Sequence, residues 1–237
     1  MNPYQKLLNR KRKWTPVQTT AGTVTDGSQA TLHRVIALRH LELPVGDFIL
    51  DALNNDVPEM ARELLLSNVE DEKNHDLALS YVADAYGVDE KAEKEALALR
   101  DAWTAHPDHT ILKAMVAERA VFFVLLPFLR AHGDAGMRTV SADISRDEQI
   151  HVAANSIVCR ELGLNISPSL DKLRKATINW VMQPLGSNAD KYLDRKFWLD
   201  SSDRLMYEGK APELSYTKSA RMLAFFEHSN ENLPQYA

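Results

Sequence analysis

Apolar residues recur along most of the chain at intervals of three and four, and no stretch shows regular alternation of Val, Ile and Thr with polar positions. That is the period of amphipathic helices rather than of strands. SQATLHRVIALRHLEL (28–43) has helical periodicity and is expected to stop at Pro44, because a proline disfavours helical backbone in the residue before it. A short apolar piece, VGDFILDAL (45–53), follows. Residues 54–87 predict a long helix, with Asp56 placed to cap it, Pro58 in its first turn and Gly87 at its end. DEKAEKEALALRDAW (89–103) predicts a helix with a charged outer face. PDHTILKAMVAERAVFFVLLPFLRAHG (107–133) is apolar nearly all round in its second half, which suits the central helix of a bundle. Another helix is expected over 134–163, between glycine-bearing turns, and two or three shorter helices beyond it. The chain shows no solenoid-period repeat and no low-complexity linker. The expectation is a single all-α domain: an N-terminal arm over 1–27, a helical bundle over 28–227 and a flexible polar tail over 228–237.

Composition narrows the partners. A formal net charge of -5 offers no electrostatic case for nucleic acid or a membrane surface. The basic run KLLNRKRK (6–13) is expected to be a solvated or subunit-contacting arm. The one cysteine, Cys159, excludes a disulfide within the chain and suits a core thiol in a reducing compartment. AVFFVLLPFL (120–129) is about half of a bilayer span and contains Pro127, so no transmembrane helix is expected. With no signal-peptide pattern at the start, the expected location is cytoplasmic.

The chemistry lies in a repeated pair. Glu-x-x-His puts a carboxylate and an imidazole on one helix face, and it occurs at Glu72/His75 and again at Glu148/His151. A lone acid stands thirty residues before each pair, Glu42 before Glu72 and Glu118 before Glu148. A four-helix bundle needs this arrangement for a dinuclear site, and the mixed oxygen and nitrogen donors suit iron or manganese better than zinc. Glu118 lies in KAMVAERAVFFVLL, where an unpaired ionised carboxylate would cost several kcal/mol and a metal ion removes the objection. Taken singly the residues have plainer readings. Glu72 sits in the acidic run EDEKNH and reads as solvated, Glu42 lies beside a proline at an expected helix end, and either histidine alone is an ordinary helix histidine.

ISRDEQIH (144–151), VPEMARELL with EDEKNH, and ERAVFFVLLPF together resemble the small (β) subunit of class I ribonucleotide reductase in a compact, phage-like form. The likeness spans roughly residues 40 to 160. It implies a ferritin-like fold with metal ligands Glu42, Glu72, His75, Glu118, Glu148 and His151. It further implies that Asp147 orients a ligand histidine, and that Phe122, Leu126 and Ile144 line an apolar pocket beside the metals. Trp14, Asp147 and Tyr236 would carry a radical towards a separate catalytic large subunit, and the small subunits would form a homodimer, in the host cytosol if the protein is viral. The sequence departs from the family at Leu79, where members that store a tyrosyl radical carry tyrosine; Tyr81 falls on another helix face. Variants of this kind in the family use a manganese/iron pair, so Mn/Fe is favoured over Mn/Mn or Fe/Fe. The rival expectation is a stand-alone dinuclear oxygenase or oxidase with its pocket near Leu79, Phe122 and Leu126, and a third is a ferritin-like metal-binding protein.

Overall fold

The computed structural model describes residues 2–55 and 57–214, so the tail over 228–237, Tyr236 within it and the cap expected at Asp56 lie outside the described residues. Among the described residues every regular element is a helix, and there are no strands. The helices are α1 (Pro3–Leu8), α2 (Gln29–Ala37), α3 (Glu42–Leu53), α4 (Arg62–Tyr86), α5 (Glu90–Ala105), α6 (Thr110–Ala117), α7 (Phe123–His132), α8 (Ala135–Glu161), α9 (Pro168–Met182) and α10 (Arg195–Tyr207). A π-helical turn, Glu118–Phe122, joins α6 to α7.

Local chemistry sets several of these ends. The Asp89 side chain accepts from the Ala92 N–H to start α5, Asp134 accepts from Met137 to start α8, and Asp194 does the same for α10. Gly87 ends α4 at φ 90°, a left-handed conformation that a side chain would strain. Lys113, buried in α6, donates to the carbonyls of Trp103, Thr104 and His106 at 3.2, 3.0 and 3.2 Å, so one ammonium answers the carbonyl end of α5.

Pro44 does not stop the helix as its position predicts. Residues Leu38–Leu41 tighten into a 3-10 turn, and α3 restarts at Glu42. Pro44 thereby falls in a first turn, where an N–H would have no intrahelical partner. This restart also buries Glu42 instead of leaving it at a frayed end.

Four segments close a ring: α3 packs on α4, α4 on α8, α8 on α6 and α7, and α6 on α3. α5 lies against α2, while α10 covers α9, the π turn and α7. The segment before α2 is solvated in part, with Lys6, Arg10 and Lys13 exposed, but it is also tied to the bundle. Tyr4 and Leu7 of α1 are buried against α4 and α8, and Lys11 and Arg12 reach carboxylates of the same two helices. Cys159 is buried, as a core thiol should be.

Candidate metal centre

All six expected ligand side chains face the interior of the ring. Glu72, His75, Glu118, Glu148 and His151 are fully buried and Glu42 nearly so, including the Glu72 that its acidic surroundings alone would leave in solvent. Glu72, His75, Glu148 and His151 offer ligand atoms within 4.8 Å of one another and form a buried group able to hold metal. His75 Nδ1 lies 3.3 Å from Glu72, 3.4 Å from Glu148 and 3.7 Å from Glu42. His151 Nδ1 lies 3.0 Å from Glu72 and 3.8 Å from both Glu118 and Glu148. Glu72 and Glu148 thus stand between the two imidazoles, with Glu42 on the His75 side and Glu118 on the His151 side.

Two features of the local fold produce this. On α4 and α8 the three-residue spacing brings each Glu and His to one face. Glu118 opens the π turn, whose wider winding releases backbone carbonyls from the regular ladder. The buried Ser202 hydroxyl donates to the Ala120 carbonyl at 2.7 Å, and Arg119 Nε donates to the Leu205 carbonyl at 2.9 Å, so α10 clamps the turn that carries Glu118. Asn155 on α8 donates to Glu118 Oε2 at 2.6 Å.

The inner atoms have no such partners. Both oxygens of Glu72 and Glu148, one each of Glu42 and Glu118, and Nδ1 of both histidines are buried without a hydrogen bond. Leaving them so would cost roughly 1–3 kcal/mol per group, and more where charge is involved. A pair of divalent cations fits this set of oxygen and nitrogen donors. Without a cation the cluster must share protons. Burial raises the Glu42, Glu118 and Glu148 carboxyls above the ordinary carboxylate range. Burial also acts on Glu72, but the adjacent imidazoles of His151 and His75 outweigh it and hold that carboxyl down at about 2. Burial opposes the charged form of both histidines, yet Asp147 and the glutamates hold His75 well above the usual imidazole range, and Asp71 with the glutamates raises His151 to about 10.

The outer nitrogen of each histidine meets an aspartate from the opposite motif. His75 Nε2 lies 3.4 Å from Asp147 Oδ2, and His151 Nε2 lies 3.0 Å from Asp71 Oδ2. Trp14, half-buried in the arm, donates its indole N–H to Asp147 Oδ2 at 2.6 Å, and its ring stacks on His75 with centroids 6.2 Å apart. Asp71, Asn155 and Lys11 are the residues that sequence reasoning missed. For Asp71 a signal existed, since an aspartate directly precedes the glutamate in both motifs, Asp71-Glu72 and Asp147-Glu148. Leu79, Phe122, Leu126 and Ile144 are all buried in the hydrophobic core. The Tyr81 backbone carbonyl accepts from the Thr19 hydroxyl of the arm.

No protein-family model matches the chain, and no curated protein matches it. No helix among the described residues is long and apolar enough to cross a membrane.

Proposed function

We propose that this protein is the radical-generating small subunit of a class I-type ribonucleotide reductase, a ferritin-like bundle holding a dinuclear centre. The observation that carries the reading is the unbroken contact from Trp14 through Asp147 to His75, 2.6 and 3.4 Å long. An oxygenase that acts on a substrate inside its own core has no use for an indole bonded to the carboxylate behind a ligand histidine.

Glu42 and His75 would serve one metal position, Glu118 and His151 the other, with Glu72 and Glu148 between them. A bound redox pair, Mn/Fe by preference given Leu79, would supply one strong oxidising equivalent. Asp147 keeps the His75 ring oriented and accepts at Oδ2 the indole hydrogen bond, so it can hold the Trp14 proton when the indole gives up an electron. The Arg12 guanidinium lies over the Trp14 ring, 5.7 Å from its centroid, and pairs with Asp143, which anchors the arm at this point. From Trp14 the oxidising equivalent would pass by way of Tyr236 to a cysteine of the catalytic large subunit, where ribonucleotides are reduced. A homodimer of this chain and a cytoplasmic location belong to the same proposal.

The test is to load apoprotein with Mn(II), Fe(II) or both, expose it to oxygen, record EPR spectra, and assay ribonucleotide reduction with the catalytic subunit. A coupled two-metal signal with turnover is expected. Fewer than two metal ions bound per chain sinks the centre; two bound ions without turnover beside a competent large subunit shift the reading to an oxygenase.

A further inference from the structure

The two halves of the centre repeat one set of residue types inside and carry opposite kinds of partner outside. Behind His75, Asp147 accepts from a neutral donor, the Trp14 indole, and the nearest cation is Arg12 Nε at 3.9 Å. Behind His151, Asp71 is ion-paired directly with the Lys11 ammonium. The Lys11 side chain is only 8% exposed, and its ammonium is fixed from a second direction by Asn68 Oδ1 at 2.9 Å, Asn68 itself being fully buried. A lysine at the surface could swing away from its partner; one held by two acceptors under the arm cannot do so cheaply.

A fixed positive charge there has two effects on a cation bound at His151. It offsets negative charge that Asp71 would lend to the imidazole, and it repels the ion through a medium of low dielectric. At His75 the carboxylate keeps more of its charge and the indole adds none. Inside, each position has one histidine and one private glutamate and shares Glu72 and Glu148; the Asn155 donor on Glu118 is an inner difference that a Lys11 variant leaves in place.

We propose that Lys11 is a positioning residue that makes the His151/Glu118 position the weaker of two metal positions, so that metal loads first at His75/Glu42. The inference rests on the two-metal reading above. It accounts for the arm placing residues 11 and 14, three apart, on the outer carboxylates of opposite halves. A centre with unequal positions is also able to take up two different metals in order.

The experiment is a titration of full-length apoprotein with Mn(II) alone, following free Mn(II) by EPR. The wild type should bind two ions per chain with separate constants. Lys11→Met should tighten the second ion by about tenfold and leave the first unchanged, narrowing the gap; Lys11→Arg should behave as wild type. A lysine with a merely structural role predicts the opposite sign, since its loss would loosen Asp71 and weaken binding. The indole N–H resonance of Trp14 in the apoprotein reports whether the arm stays seated, and Lys11→Gln, which keeps a donor for Asp71 without the charge, replaces the methionine variant if it does not. Weaker second binding in the neutral variants, or an equal change at both positions, overturns the proposal. Fewer than two ions bound by the wild type would instead overturn the dinuclear reading itself.

Discussion

His151 of α8 and Asp71 of α4 stand 3.0 Å apart across the bundle, and the relationship is returned by His75 of α4 and Asp147 of α8 at 3.4 Å. Each Asp-Glu-x-x-His motif therefore supplies one histidine of the buried cluster on its own helix and the carboxylate that meets the histidine of the other. Neither helix can build its half alone, so a change in one motif is expected to register at the opposite metal position.

Asp71→Asn tests that crossing. It should weaken the metal position built on His151, a residue eighty positions away in sequence, by roughly 10–100-fold and spare the position built on His75. Two-site Mn(II) titration measures it; weakening of the His75 position instead would refute the crossed assignment.

Glu118→Gln separates function from stability. The amide keeps an acceptor for Asn155 but removes a carboxyl that burial raises above its ordinary range. A raised carboxyl costs stability above its unfolded value, so the variant apoprotein should melt higher than wild type at neutral pH. The gain should fade as pH falls below about 4.5. Calorimetry in the presence of chelator reads this, and the same variant should lose metal at the His151 position.

Metal uptake should release protons. In the apoprotein His151 titrates at about 10 and His75 is also raised, so both carry protons at neutral pH that a metal must displace. Affinity is therefore expected to rise with pH through the neutral range. The sign for apoprotein stability is the reverse: the contribution of charged His151 is complete below about 6.5, its unfolded value, and is lost as pH rises through the folded value of about 10. Calorimetric titration in buffers of different ionisation enthalpy counts the protons.

Trp14→Phe removes the indole N–H from Asp147 while keeping a ring against His75. Ribonucleotide reduction with the large subunit should stop, with two-metal loading and its EPR signal retained. Turnover in the variant would break the proposed route.

Ser202→Ala probes the clamp on the π turn. The Ser202 hydroxyl donates to Ala120 and accepts from Arg174 Nη1 at 2.7 Å, so the alanine removes two buried hydrogen bonds. The expected cost is about 1–3 kcal/mol, a fall in melting temperature of roughly 2–4 °C for each kcal/mol. Ser202→Thr, which retains the hydroxyl, should recover much of it.

The sequence by itself determined the helical class, most of the helix ends and the sharing of one helix face by Glu72 with His75 and by Glu148 with His151, because period, caps and spacing are local properties that survive without tertiary contacts. Glu72 and His75 share a face wherever α4 sits, and Gly87 ends that helix whatever packs beside it. Tertiary structure decided what no local pattern encodes. Pro44 is tolerated only because the 3-10 turn before it moves the helix start, and the π turn at Glu118 depends on acceptors and donors from α10, more than eighty residues on. Lys11 and Arg12 of the basic run, and Trp14 just after it, are held because Asp71, Asp143 and Asp147 wait on two other helices to receive them. Charge and hydrogen-bond partners separated by 57 to 133 residues meet only in the folded chain, and these long-range partners make the two halves of one centre unequal.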